Sequence, residues 1–295
     1  EIIWDGLFDE PANVVVVAAE RRAIAAEQRG RMANPADAAT REMDRAFFGS
    51  THPWGSSTVG TPESVESLGY PAVDGFLQDF VTRERALVAV VGPVEGDDAR
   101  DHFASLIGSG RTPPIEILPF EPAERTIRRE YNAITTWVTA SFVFPETGDL
   151  EALRFLTYLA ADELSFSPSQ RSVYDVWSEV VPRVGGGEVR IQVVVPPDEA
   201  TDWADRVEAA VLDIADATML DDVFGNHVRR FRGRRLMAMS APEERAHEAA
   251  RQLLVDGRFV GILPDLDDLT QQRVRAAAES LGPATLVLLG PTLDN

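Results

Sequence analysis

Cysteine and lysine are both absent from the 295 residues. The first absence excludes disulfides, thiolate metal sites and cysteine nucleophiles. The second makes all 28 cations arginines, set against 48 Asp and Glu for a formal net charge of −20. A surplus of that sign argues against nucleic acid or an anionic membrane surface as a partner. Long apolar runs are missing too: Val14 to Ala19 is a short patch, far below the roughly 20 residues that a spanning helix needs. Histidine is scarce. His52, His102, His227 and His247 are the only four, and no two stand four apart, so no helix face offers a pair of imidazoles to a metal. No G-x-S-x-G occurs, and Gly185-Gly186-Gly187 lacks the Lys and Ser/Thr of a phosphate-cradling loop.

What is present supports two ordinary domains, with 44% hydrophobic residues to build their cores. The first residue is Glu rather than Met and no signal peptide is visible. The natural N-terminus is therefore expected to lie outside this sequence, with a cytoplasmic location favoured.

The stretch Glu20 to Glu27 reads E-R-R-A-I-A-A-E. Two carboxylates seven apart lie two turns apart on one helix face, and the residues between them are mostly good helix formers. Asn13 is the expected N-cap of a helix from Val14 to Arg29, and Pro35 sets its break. A second helix is expected over Ala36–Phe47, a Gly/Ser/Thr/Pro loop over Gly49–Gly60, and a helix over Pro71–Val81. Ala86–Val91 reads as a buried strand stopped by Gly92-Pro93, followed by a helix over Asp97–Ile107.

Gly108–Pro114 is the best linker. Strands follow around Ile115–Pro119, Arg125–Tyr131 and Thr135–Phe144. Asp149–Leu164 places four leucines on the apolar side of a helix, and Gln170–Val180 reads as another. Then come a strand over Val189–Val195, helices over Asp202–Ala217, Asp221–Arg235, Pro242–Val255 and Leu269–Leu281, and a last strand over Thr285–Leu289.

An internal repeat is visible. Leu87–Pro93 matches Thr285–Pro291 in kind, with Gly92 and Gly290 standing 198 residues apart. Arg29-Gly30-Arg31-Met32 has a loose echo in Arg232-Gly233-Arg234-Arg235. Two like modules are the natural reading, 1–110 and 115–295, with about 80 residues of the second lacking a partner in the first.

The order Glu20…Glu27, Asn34-Pro35, Phe47-Phe48-Gly49, His52-Pro53-Trp54-Gly55, Gly60-Thr61-Pro62-Glu63-Ser64-Val65 and Val88–Gly92 resembles the pitrilysin/insulinase-type zinc metallopeptidases, which include mitochondrial processing peptidase. The resemblance implies an α+β fold of two related modules, each a mostly antiparallel sheet with helices packed on one face, the first module truncated. It implies that Glu27 is the third zinc ligand and Glu20 its supporting carboxylate. The family's H-x-x-E-H, which carries the other two ligands and the general base, is absent, so zinc is expected in the parent protein and none in this chain alone. The family's second module commonly supplies an Arg and a Tyr that hold substrate. Ser172-Val173-Tyr174 resembles the start of that helix, but the Arg position falls near Ser178 and no Tyr follows in Val180–Gly187.

Two functions are therefore expected in parallel. One is a zinc endopeptidase acting on peptides or unfolded proteins enclosed between two modules. The other is a non-catalytic homologue or partner subunit that binds peptides or scaffolds a related subunit in a homo- or hetero-oligomer. His52 is expected to be structural and the other three histidines solvated. The cluster Arg229, Arg230, Arg232, Arg234 and Arg235 is read as neutralising nearby acidic surface, or else as a docking patch.

Overall fold

A computed structural model describes residues 8, 13–104, 106–107, 126–166, 173–216, 218–263 and 266–292. The helices in chain order are α1 (Val14–Ala33), α2 (Pro35–Phe48), α3 (Pro62–Ser67), α4 (Tyr70–Phe80), α5 (Gly96–Ala104), α6 (Leu150–Phe166), α7 (Ala200–Asp216), α8 (Asp221–Ala238), α9 (Pro242–Arg251) and α10 (Gln271–Glu279). The strands are β1 (Thr126–Glu130), β2 (Thr136–Pro145), β3 (Asp175–Arg183), β4 (Gly186–Val195) and β5 (Ala284–Gly290). They form one sheet in the order β1-β5-β2-β4-β3, antiparallel except where β1 runs parallel to β5. The fold is α+β.

Contacts divide the chain into two compact units. The larger joins Met32–Ser56, Ile117–Ala238 and Leu263–Asn295, and holds the sheet. Strand alternation sorts its side chains by period two. Val138, Ala140, Phe142 and Phe144 of β2 share one face with Val189, Ile191, Val193 and Val195 of β4 and with Leu286 and Leu288 of β5. Leu153, Phe155, Leu156 and Leu159 of α6, Trp203 and Val207 of α7, and Val274 of α10 close over that face. Trp203 is wholly buried, and its indole N–H donates to Glu199 Oε2 at 3.3 Å. From α8, Phe224 and Phe231 meet Phe155 edge-on, each 5.4 Å between ring centres.

The other sheet face carries α2. Asn34 caps this helix by accepting from the Ala36 N–H, and Pro35 sits at its first turn, where a missing N–H costs nothing. Its Met43, Ala46, Phe47 and Phe48 pack with Ile127 and Val287, while Ala38 and Ala39 pack with Leu289. Sequence order alone placed this helix in the 1–110 stretch; here it covers β5 and β2.

The smaller unit, Glu1–Arg31, Ser57–Glu116 and Met239–Ile262, has helices but no strand among its described residues. Its buried apolar side chains among those residues are few, Val65 and Met239. Val14, Val15 and Val16 of α1, Phe76 and Phe80 of α4, and Val90 and Val94 are exposed instead. Val88, Val90, Val94, Phe103 and Ile107 line an apolar cleft of about 760 Å³ beside α5.

Several expectations need correction. Ala86–Val91 is not a strand: it runs without a ladder partner among the described residues, none of its side chains is buried, and it does not parallel the fully buried β5. Of the helix expected over Gln170–Val180, residues 170–172 lie outside the described residues and Asp175 onward is β3. Val176 and Val180 stand four apart and both reach the core, a spacing that fits either period, and β-branching decides for the strand. Ser172-Val173-Tyr174 accordingly starts no helix: Val173 is not helical, and the Tyr174 N–H donates to Val194 O at 2.8 Å. The Pro242–Val255 helix passes at Gln252 into a wider π-type turn, ended by Gly257 with φ of 66°. The linker 108–114, the strand 115–119 and most of 1–11 lie outside the described residues.

Candidate functional site

Glu20 and Glu27 lie on α1, a helix whose side chains are largely exposed, with Gln28 its buried residue. Gln28 is held by its Nε2 donating to Val59 O at 2.8 Å. The two carboxylates are about 10 Å apart along the axis, at 1.5 Å per residue. Both are exposed. Glu27 is already engaged: Arg31, one turn on, donates to its Oε1 at 2.9 Å.

Zinc in a catalytic site takes three protein ligands and a water. Among the described residues no group of three or more His, Asp or Glu is placed to hold a metal ion. A single carboxylate paired with a guanidinium does not fit that requirement, and no step through zinc follows from these residues. The histidines lie apart. His52 is buried, accepts the Trp54 N–H at Nδ1 (3.2 Å) and stacks on Phe48, a structural role in the 3₁₀ turn Pro53–Gly55. His102 and His247 are exposed, whereas His227 differs from the expectation, with its Nδ1 buried beside the Tyr158 ring.

Three of the five arginines of the cluster on α8 lie near acids, while Arg229 bonds Asn226. Arg232 bonds Asp267, Arg234 lies 3.9 Å from Asp162 and over the Tyr158 ring, and Arg235 lies 3.9 Å from Glu151. Gly185–Gly187 forms the tight β3–β4 hairpin. Gly185 has φ of 88°, and at Gly187 a Cβ would meet Phe144 Cζ at 2.2 Å and Val181 O at 2.5 Å.

The densest polar constellation stands on the α2 face of the sheet. Arg190, 3% exposed, donates from Nη2 to Asp44 Oδ1 at 2.5 Å and to Glu188 Oε2 at 2.8 Å, and from Nε to Ser141 Oγ at 3.2 Å. Glu188, with no exposed surface, also accepts from Arg183 Nη2 at 2.9 Å. The Arg183 guanidinium in turn lies over the rings of Phe48 and Trp54, 4.8 and 4.7 Å from their centres. Glu179 faces Arg190 across the β3–β4 ladder. Burial pushes the carboxyls of Asp44 and Glu179 up from the ordinary range, and the pull of Arg190 does not fully offset it. Arg190 stays charged: burial works against its charge, but Glu188 and Asp44 outweigh it.

Sequence reasoning missed this network. The available signal was Glu188-Val189-Arg190-Ile191-Gln192-Val193, an alternation that puts charge on one face of a central strand.

Comparison with known proteins fits this architecture. No family model matches the chain. An uncharacterized zinc protease of Mycobacterium leprae is 32% identical over 115 residues, 38% of this chain, and the match spans about a quarter of that relative's length, 26%. Solved structures align over almost the whole chain. They include the inactive domain of a Pseudomonas fluorescens M16 peptidase (TM-score 0.81, 14% identity, 96% of this chain and 72% of that one) and a Helicobacter pylori protease (0.80, 16%, 95% and 73%). A chain of the Inz-5-bound complex III2 of Candida albicans also aligns (0.76, 12%, 94% and 73%). The chain thus has the fold of M16 peptidases, the pitrilysin/insulinase type, and resembles a zinc protease in sequence over the 115 matched residues.

Proposed function

We propose that this chain is a peptide-binding, non-cleaving member of an M16-type assembly. The observation that carries this reading is the donor set on α1: Glu27 is held by Arg31, and no group of three or more His, Asp or Glu among the described residues is placed to hold a metal ion. The fold shared with a domain described as inactive supports it.

The same reading explains the smaller unit. Its Val14, Val15, Val16, Phe76, Phe80, Val90 and Val94 are exposed, and large exposed apolar side chains of this kind are what an interaction face presents. In this proposal the 1–110 module is incomplete as it stands, and strands outside this sequence cover α1 and pair with the 86–91 run. A related subunit is the expected partner, an idea supported by the likeness to a chain of a multisubunit complex.

A second reading rests on the sequence match to the mycobacterial zinc protease. In it, an H-x-x-E-H segment joins this chain, Arg31 releases Glu27 to become the third zinc ligand, and Glu20 supports it. Bound zinc and peptide hydrolysis, measured on this chain and again on the product of its whole gene, separate the two. Zinc and cleavage in the longer product alone would support the second reading.

A further inference from the structure

We infer that the larger unit is an ionic-strength-sensitive fold: carboxylates held at the C-terminal ends of α6, α7 and α10 destabilise it in dilute buffer, and dissolved salt relieves that strain.

Charge count sets the background. With 48 Asp and Glu against 28 arginines and no lysine, one-to-one pairing leaves 20 carboxylates without a cation of their own. A net charge far from zero works against compactness, because folding brings like charges closer together than the unfolded chain holds them. How large the effect becomes depends on where the charges sit, since Coulomb energy falls with distance.

Three helix ends place them badly. The free carbonyls of a last turn carry partial negative charge, which favours a cation there and disfavours a carboxylate. Glu163 lies in the last turn of α6, Asp213 in the last turn of α7, and Glu279 closes α10; none of these last turns contains a basic residue. The last turns of α2 and α9, by contrast, carry Arg45 and Arg251. Glu163 and Asp213 also act on each other: partial burial first, and then the negative charge of Asp213, push the Glu163 carboxyl up from its ordinary range. Leu164, next to Glu163, and Ile214, next to Asp213, are buried in the same core, so packing holds the two carboxylates where they are. All three acids are exposed, which is where screening acts. The distance over which such charges feel each other shrinks from about 30 Å at 0.01 M salt to about 3 Å at 1 M.

Urea unfolding of the whole chain at pH 7, in NaCl between about 0.01 M and 1 M, tests this. Tryptophan fluorescence reports on the larger unit, which holds Trp54, Trp137, Trp177 and Trp203. The wild-type midpoint is expected to rise by about 0.5 M urea or more across that range. The triple variant Glu163→Gln/Asp213→Asn/Glu279→Gln should start from a higher midpoint at low salt and lose about half of the rise or more. Choline chloride should match NaCl, because screening depends on ionic strength and not on which cation supplies it. A wild-type midpoint that stays flat or falls with NaCl would overturn the inference, as would a triple variant that keeps the full wild-type rise. A rise with NaCl that choline chloride fails to reproduce would overturn it as well, assigning the effect to a discrete sodium site.

Discussion

Replacing Arg190 with methionine tests the physical account of the sheet most severely. The guanidinium is 3% exposed and makes three contacts: Asp44 at 2.5 Å, Glu188 at 2.8 Å and Ser141 at 3.2 Å. Methionine fills much of the volume but removes the charge. Glu188, wholly buried, then keeps Arg183 alone, and Asp44 loses the guanidinium it bonds. Stripping one partner from a buried ion pair costs about 3–5 kcal/mol, because the remaining charge stays desolvated. That is a large part of the 5–15 kcal/mol that holds an average domain together. With a urea dependence of about 1–3 kcal/mol per molar, the midpoint should fall by at least about 1 M. The loss should shrink in acid: burial already raises the Asp44 carboxyl, and without Arg190 only the weaker pull of Arg183 opposes that rise, so a proton can neutralise it. Equilibrium urea unfolding at pH 7 and pH 5 measures both effects. A loss below about 1 kcal/mol at pH 7, or one independent of pH, would refute the claim that this network is desolvated and mutually dependent.

Three other outcomes follow from the same geometry. Glu27→Gln removes an exposed i,i+4 pair with Arg31 and should shift stability by about 0.5 kcal/mol or less, seen as an unchanged thermal midpoint. Gly187→Ala should destabilise by about 1–3 kcal/mol in urea, since its Cβ would need the space of Phe144 Cζ and the Val181 carbonyl. Glu179→Gln concerns pH. A carboxyl whose folded pKa is raised stabilises most below its unfolded value near 4.3, and that contribution is lost as pH climbs through the folded value. The wild type should therefore lose stability relative to Glu179→Gln across that rise, leaving the variant equal or more stable at pH 7, as a series of urea midpoints would register.

How much of this was legible in the sequence depends on whether local pattern and tertiary pairing agree. The helices of the larger unit were, because their apolar stripes face a sheet that exists: α6, α7 and α10 fall where periodicity put them. The strands β2, β4 and β5 were legible too, as short β-branched runs. Ala86–Val91 has the same apolar character as β5 but no neighbouring strand to ladder with among the described residues, and composition cannot report whether a neighbour is there. β3 was misread because its core valines sit at a spacing shared by helix and strand. The Glu20 and Glu27 positions were visible as a motif; their exposure and the Arg31 pair were not. The Asp44–Arg190 contact joins residues 146 apart in sequence, and it comes from α2 lying on the far face of the sheet, which no local pattern encodes.

The central claim is that this chain binds peptides without cleaving them. Zinc content by elemental analysis, taken together with turnover of a quenched fluorescent peptide by the same purified chain, tests it most directly. The account predicts zinc far below one per chain after dialysis and no turnover, with or without added zinc. About one zinc per chain, with turnover abolished by a chelator and by Glu27→Gln, would contradict it and establish the chain as a metallopeptidase.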